Sequence, residues 1–580
     1  MRHVRQLAAG MLMVWMLCIL SSCQLKSQEE LFDQYLTEIF EESVVSDSIT
    51  LHFTLKDPES YGIDRIEPTL GSVMPDANGG ESASESLKIL KKFKYSQLTE
   101  EQKLSYRILE DYLTVEQMAE GMDYYAEICS PEQGIQAQLP VLLAEYKFYV
   151  EEDIQDYISL LHDTRRYFQE IIAFEQEKSE QGLFMADFSL DDVIQGCQDF
   201  VNAGEDNVLL ATFRERLDAF DGLSSEQKAA YEEQNAEAVA VVVSTYETFM
   251  EEMEKLRGTG VNSGGLCNFD EGQTYYEYLV ASGTGSSKSV KEIANALQQR
   301  LFAEYQTVYE YLQMDESVYD LFDDPPYDTD DPVTMLEELK ERIVEDFPAI
   351  PEVHYEVKEV AESLQGSTSP AFYLIPAIDN AAENVIYINP SEEYAHMDLF
   401  PTIAHEGYPG HLYQNVYYNS TNPPLFRHLL SFLGYSEGWA NYVEGLSYGY
   451  FGFENEALVE VLKCNSYINI QLSALIDIGI HYYGWDLEGL QDFLSQFGIE
   501  DEEAVRDTFE YVVGNPSAYL SYAVGGMEIL ELRENAENEL GESFSLKDFH
   551  KAVLDAGPAP FSIVEEFVDA YIEEAAALIE

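Results

Sequence analysis

Basic residues are scarce in this chain. Among 580 residues there are 32 Lys and Arg against 108 Asp and Glu, a formal net charge of −76. Nucleic acid is excluded as a natural partner, because phosphate contacts need clusters of Lys and Arg. An anionic membrane surface repels the body of such a protein. The charge fits a solubilised extracellular chain; solubility alone is the preferred reading, and a long-range field that draws cationic peptides is the alternative. Cysteine is also sparse. Of the six present, Cys18 and Cys23 lie in the N-terminal segment, and Cys129, Cys197, Cys267 and Cys464 are far apart with no C-x-x-C spacing. This argues against a cysteine zinc site and a dense disulfide framework, and isolated buried thiols are expected. Beyond the first 22 residues no apolar run approaches the roughly 18 residues that span a bilayer. There is no internal repeat and no long low-complexity tract.

The first 22 residues read as a targeting segment. Arg2, His3 and Arg5 form a basic start, and 7–20 is a short apolar stretch. Leu20-Ser21-Ser22-Cys23 has the order of a lipobox: an aliphatic residue, two small residues and a cysteine. Cleavage before Cys23 would leave that residue lipidated, and two acyl chains suffice for firm anchoring on the outer face of a membrane. The alternative is an ordinary secretory signal with an incidental cysteine. Residues 23–30 then form the anchor and tether.

With 46% hydrophobic and 13% aromatic residues the chain has material for a large core. Helical periodicity dominates, as in 153–176, 290–312 and 516–540. The run 224–256 opens with a Ser224-x-x-Gln227 capping box. The glycine-rich stretch 258–265 marks the expected boundary between an N-terminal helical region, 31–262, and a motif-bearing region, 263–580.

That second region contains His405-Glu406-Gly407-Tyr408-Pro409-Gly410-His411, with Glu437 26 residues further on. Two imidazoles and a carboxylate fill three positions of a tetrahedral Zn²⁺ and leave the fourth for water. A second carboxylate beside that water, Glu406, suits a general base. The histidines are six apart rather than four, roughly 240° around an ideal helix. An unbroken helix would point them away from each other. Pro409 forbids one, Tyr408 before it is pushed out of the α region, and Gly410 tolerates unusual dihedrals. An excursion at 408–410 is therefore expected to bring His411 back toward His405. With ten His in the whole chain, two flanking a Glu are worth reading as ligands. The other reading is a helix corner with incidental histidines.

Residues 436–444 read as a helix with Glu437 and Glu444 on one face. Glu437 is the expected third ligand. Glu444 is either its substitute or a residue that orients a ligand histidine. Upstream, 372–376 and 384–390 look like two short strands, each closed by Pro. An extended peptide could bind along such an edge, with Tyr387 and Asn389 as substrate-binding candidates. An ordinary small hairpin is the competing reading.

The run from about Gly264 to the end resembles a group of bacterial candidate lipoproteins classed as a domain of unknown function and related to the gluzincin metallopeptidases. The matching stretches are Thr274-Tyr275-Tyr276-Glu277-Tyr278-Leu279, Phe372-Tyr373-Leu374-Ile375-Pro376, the His405–His411 heptapeptide with Gln414, Glu437-Gly438-Trp439-Ala440 with Tyr442 and Glu444, Ser521-Tyr522-Ala523-Val524-Gly525, Leu532-Arg533 and Phe549-His550. The resemblance implies a mainly α, zincin-like, two-lobed helical fold with a small β element beside the metal-site helix. It also implies peptidase activity with zinc, and a downstream Tyr that holds the oxyanion. Tyr522 is the matching position and Tyr519 the next candidate. Arg533 and His550 are candidates for a substrate carboxylate, with packing roles as the alternative. The expectation is a lipid-anchored extracytoplasmic zinc metallopeptidase of short peptides. A non-catalytic peptide- or solute-binding lipoprotein and an amide hydrolase acting on cell-wall peptides are the alternatives. The identity of the divalent ion, the cleavage preference and the oligomeric state stay open.

Overall fold

In the computed structural model the described residues are 26–578, apart from 76–81, 316, 323, 324, 326, 328, 330, 363, 364, 366, 367 and 395–397. The expected signal segment and Cys23 lie outside them. The architecture is mainly helical with one small sheet. No helix among the described residues is long and apolar enough to cross a membrane.

The expected long helices are present with modest shifts at their ends: Glu151–Glu180, Ser225–Glu254 and Val290–Met314. The Ser224 cap holds as a full box, the hydroxyl accepting from the Gln227 N–H and the Gln227 side chain accepting from the Ser224 N–H. Five later helices carry the site: α1 (Leu399–Glu406), α2 (His411–Ser420), α3 (Leu433–Phe451), α4 (Glu456–His481) and α5 (Leu520–Leu540).

The sheet has three strands in the order β1–β3–β2. Strand β1 (His354–Glu359) is parallel to β3 (Glu383–Ile388), and β2 (Ala371–Leu374) is antiparallel to it. The two strands expected from sequence are β2 and β3. Strand β1 had no expectation from the sequence; its residues at 354, 356, 358 and 359 are polar or charged and exposed. Strand β3 is buried on both faces. Ile386 enters one hydrophobic core, while Val385 and Tyr387 enter another. This is the period-two alternation of a strand, and it makes the sheet a wall between two helical cores.

The first core joins Phe32, Leu36 and Leu109 to Phe400, Leu412, Trp439 and Val564. Residues on both sides of the 258–265 stretch therefore share one interior. The second core is built within 129–253 together with Leu70 and is closed by the sheet. A third packs α4 and the start of α5 against helices Gly272–Thr284 and Val290–Met314.

Helices α3 and α5 cross at glycines. A Cβ on Gly438 would overlap the backbone of Gly525, and one on Gly525 would overlap the Gly434 carbonyl. Backbone against backbone is the closest approach two helices can make. It sets Tyr522, one turn before Gly525, beside Glu437.

Helix α5 begins at Leu520, later than the expected 516. Ser517 holds a positive φ of 66°, and its N–H donates to Asp477 Oδ2 of α4 at 2.8 Å. Asp477 is fully buried and also accepts the Tyr276 hydroxyl. The loop is thus bolted to α4 before the helix starts.

Candidate metal centre

The heptapeptide breaks where expected. Helix α1 ends at Glu406, and α2 starts at His411, so the excursion covers 407–410 with a cis Tyr408–Pro409 bond. Gly410 packs on the end of α1, where a Cβ would overlap the His405 carbonyl oxygen. The Trp439 indole N–H donates to the Pro409 carbonyl at 2.9 Å, fastening the corner to α3. Trp439 itself is fully buried.

This corner returns His411 to His405. The rings are 4.8 Å apart between centroids and nearly perpendicular at 82°. Glu437 Oε2 lies 3.6 Å from His405 Nε2 and 3.3 Å from His411 Nε2. Ligand atoms about 2.1 Å from one tetrahedral ion are about 3.4 Å apart, so these spacings fit. Glu437 Oε2 is also enclosed and makes no well-formed hydrogen bond, which costs free energy unless a cation sits there. Among the described residues, His405, His411 and Glu437 are the one group of three or more His, Cys, Asp or Glu placed to hold a metal ion. The residues present fit a divalent ion held by two nitrogens and an oxygen.

The charges around the imidazoles point the same way. Burial opposes a charge on His405, but the Glu437 and Glu444 carboxylates beside it hold its pKa well above the ordinary value. Burial alone would raise Glu437, yet His411 and His405 hold it well below the usual carboxylate range. The site demands positive charge, which a proton or a metal ion can supply.

Glu444 is one of the two alternatives left open for it. Its Oε2 lies 3.2 Å from His405 Nδ1, and Oε1 accepts the Ser466 hydroxyl at 2.8 Å. A carboxylate only accepts, so Nδ1 carries a proton, and Nε2 is the nitrogen left to face a metal beside Glu437. This is the arrangement by which outer carboxylates orient ligand histidines. Ser466 had no signal in the sequence.

Glu406 is nearly buried and sits beside β2, where its Oε2 accepts the Tyr373 N–H at 2.8 Å. Tyr373 lies on the edge of β2 turned away from β3, because the neighbouring residues pair with β3 through bonds such as Asn389 N–H to the Pro370 carbonyl. The edge of β2 turned away from β3 therefore runs past the candidate base.

The Tyr522 ring lies over His405 at 6.0 Å between centroids, beside the Glu437 carboxylate. Its pKa is held well above 10 by burial and then by Glu437 and Glu406. Tyr522 thus stands beside the candidate ligands His405 and Glu437. Tyr519 is tied elsewhere: its hydroxyl is 3.2 Å from that of Tyr511, which donates to Glu132 at 3.0 Å.

The four substrate-binding candidates are placed in internal bonds. The Tyr387 hydroxyl donates to Glu145 at 2.7 Å, and the Asn389 amide bonds the carbonyls of Gln365 and Thr368. Arg533 donates to Glu537 and to the Tyr442 hydroxyl. His550 is fully buried between the Asp346 carbonyl and Tyr442, and burial pushes its pKa down to about 3. For Arg533 and His550 the geometry is that of the packing alternative.

The same fold occurs elsewhere. A candidate lipoprotein of Colwellia psychrerythraea superposes with a TM-score of 0.81 at 20% identity, covering 95% of this chain and 100% of its own. A candidate lipoprotein of unknown function from Shewanella oneidensis gives 0.59 at 16% identity, covering 92% and 99%. No curated protein matches the sequence. Residues 72–568, which include every residue of the candidate metal centre, match the profile of a bacterial family. The chain belongs to DUF885, a family of bacterial proteins of unknown function.

Proposed function

We propose that this protein is a zinc metallopeptidase that hydrolyses short peptides outside the cytoplasm, anchored to the membrane through a lipidated Cys23. The observation that carries the reading is the convergence of Glu437 Oε2 on the Nε2 atoms of His405 and His411, 3.6 and 3.3 Å away, with Glu406 held beside them by the edge of β2. A metal-site helix under a sheet edge also supports reading the helical fold as zincin-like and two-lobed.

Bound zinc would acidify a water and polarise a carbonyl. Every other role falls to the chain. Glu406, held by the Tyr373 N–H, takes the proton from the attacking water as its oxygen bonds the carbonyl carbon. It then passes that proton to the amine nitrogen as the C–N bond breaks. The Tyr522 hydroxyl donates to the oxygen that gains charge. The edge of β2 offers backbone groups to an extended peptide. A binding protein without catalysis has no use for a carboxylate placed like Glu406.

Metal analysis of the purified protein, paired with hydrolysis of a mixed peptide library, tests the proposal. One zinc per chain and cleavage that stops on chelation and returns with zinc are expected. A metal-replete protein that leaves every peptide intact would leave the binding-protein alternative. Retention of Cys23→Ala on membranes would remove the anchor.

A further inference from the structure

Tyr522 sits in the first turn of α5, which begins at Leu520. A first turn frays unless something outside the helix holds its backbone. Tyr519, at the cap position, gives the helix no side-chain hydrogen bond. Its hydroxyl contact with Tyr511 holds a ring and not the chain. Leu520 is fully buried in the third core, but apolar contact is non-directional and does not set the rotation of a turn. The glycine crossing at Gly525 clamps the turn that follows. The near end is fixed through Ser517. Its N–H donates to Asp477 Oδ2 at 2.8 Å, and its carbonyl accepts the Leu520 N–H at 3.3 Å.

Asp477 is an expensive residue to keep at that point. It is a fully buried carboxylate on α4, and among the described residues no Lys or Arg stands near it. His481 is one turn further on, but its Nδ1 accepts the Leu266 N–H and its Nε2 donates to the Val512 carbonyl, so the ring is neutral. A buried carboxylate without a cation depends on its hydrogen bonds. Asp477 accepts two, from the Tyr276 hydroxyl and the Ser517 N–H. Tyr276 belongs to the stretch 274–279, which puts no residue into the metal centre, and this bond is what it contributes instead. Ser517 has a φ of 66°, a conformation that side chains other than glycine rarely adopt. A buried carboxylate and a strained backbone thus meet in one hydrogen bond, five residues before Tyr522. Strain of this kind persists only where the surroundings hold it, and it gathers at functional sites.

We infer that Asp477 is a positioning residue for Tyr522. Held by Tyr276, it fixes the Ser517 turn, and the turn sets the rotation of the first residues of α5 and so the place of the Tyr522 hydroxyl beside Glu437. Asp477 bonds no candidate metal ligand, so its effect on chemistry passes through Tyr522. The inference rests on the role proposed above for that tyrosine.

The test compares Asp477→Ala and Asp477→Asn in the zinc-loaded full chain, each with and without Tyr522→Phe. Should Asp477→Ala not fold, Asp477→Val combined with Tyr276→Phe takes its place, filling the space with apolar groups. Asp477→Asn still accepts the Ser517 N–H and can donate to the Tyr276 oxygen. Amide exchange over 517–523, read by mass spectrometry, should quicken at least about tenfold in Asp477→Ala while the rest of the chain exchanges as in the parent. Its kcat should fall about 10²-fold, as for a displacement of about 1 Å, with KM and zinc content unchanged. On the Tyr522→Phe background the same substitution should change kcat by less than about twofold, because the group it acts through is gone. A general structural fault would lower kcat equally on both backgrounds. Asp477→Asn should match the parent in exchange and in kcat. Parent-like exchange in Asp477→Ala, a kcat loss that persists in full on Tyr522→Phe, or an Asp477→Asn as impaired as Asp477→Ala overturns the inference. Full kcat in Asp477→Ala removes the positioning role and keeps the peptidase. A parent that cleaves no peptide removes the peptidase, and quickened exchange in Asp477→Ala then still keeps Asp477 as the restraint on the Tyr522 turn.

Discussion

Glu444 stands 3.2 Å from the Nδ1 of His405, on the side of the ring opposite the cluster that would hold a metal. It fixes which nitrogen is bare. Glu444→Gln preserves the shape but weakens the charge that holds the Nδ1 proton, and Glu444→Ala removes both. Zinc affinity measured against a chelating indicator should fall about 10–100-fold for Glu444→Ala, with a smaller loss for Glu444→Gln. An unchanged affinity in both would show that His405 is oriented by other means.

Glu406→Gln should keep the metal and the fold and lose about 10²–10⁴-fold in turnover. Tyr522→Phe should also keep the metal and lose about 10²–10³-fold. The readouts are zinc content and kcat on any peptide the parent cleaves. Near-normal turnover in Glu406→Gln would rule out the mechanism. A silent Tyr522→Phe alone would send the search for the oxyanion donor to another residue.

Gly410→Ala tests the corner. The added methyl would meet the His405 carbonyl, which is backbone and cannot step aside without moving the ring. Overpacking of this kind costs about 1–3 kcal/mol. Unlike a random destabilisation, the variant should lose zinc stoichiometry under conditions where its circular dichroism remains native. Full zinc occupancy at normal stability would show that the corner is not what brings the histidines together.

Glu175 carries a pH dependence remote from the metal. It is fully enclosed with neither oxygen in a hydrogen bond, and burial pushes its carboxyl up to about 7 against the pull of Lys178. Between the ordinary 4.5 and 7 the folded chain keeps a proton that the unfolded chain has lost. Stability from this group is therefore full below the unfolded value and falls as pH rises through that window. Glu175→Gln should match the parent near pH 4.5 and exceed it at pH 8 by about 1–3 kcal/mol. Urea midpoints across pH give the comparison, and parallel curves would contradict it.

The members of the candidate ligand cluster were more legible in the sequence than the contacts that hold them in place. His405, Glu406, His411 and Glu437 announce themselves by type and spacing, and the break at Pro409 follows from the missing N–H. The helices at 151–180 and 225–254 follow from periodicity and the Ser224 box. Contacts between distant segments leave no such trace. Nothing near Ser466 points to Glu444, and nothing near Tyr373 says that its N–H meets Glu406. Gly434, Gly438 and Gly525 look like poor helix residues until two backbones are seen to touch there. Arg533 and His550 illustrate the converse: a polar residue in a matching motif is not thereby in the cleft. Strand β1 was hidden because its outward charges broke the pattern of a buried strand.

The core that joins Phe32 to Val564 sets the order in which the molecule can assemble. The three candidate ligands fall within 33 residues of one another, so they can meet as soon as α1 to α3 have formed. The tyrosine of α5 arrives 85 residues later, and Arg107 must wait for Glu566 to close its ion pair. Pairings of such sequence separation form slowly, because loop closure precedes its reward. A chain delivered N-terminus first would therefore bring the candidate ligands together before the helix that carries Tyr522 has docked, and the hydrolysis proposed for it would begin only once the last helices are in place.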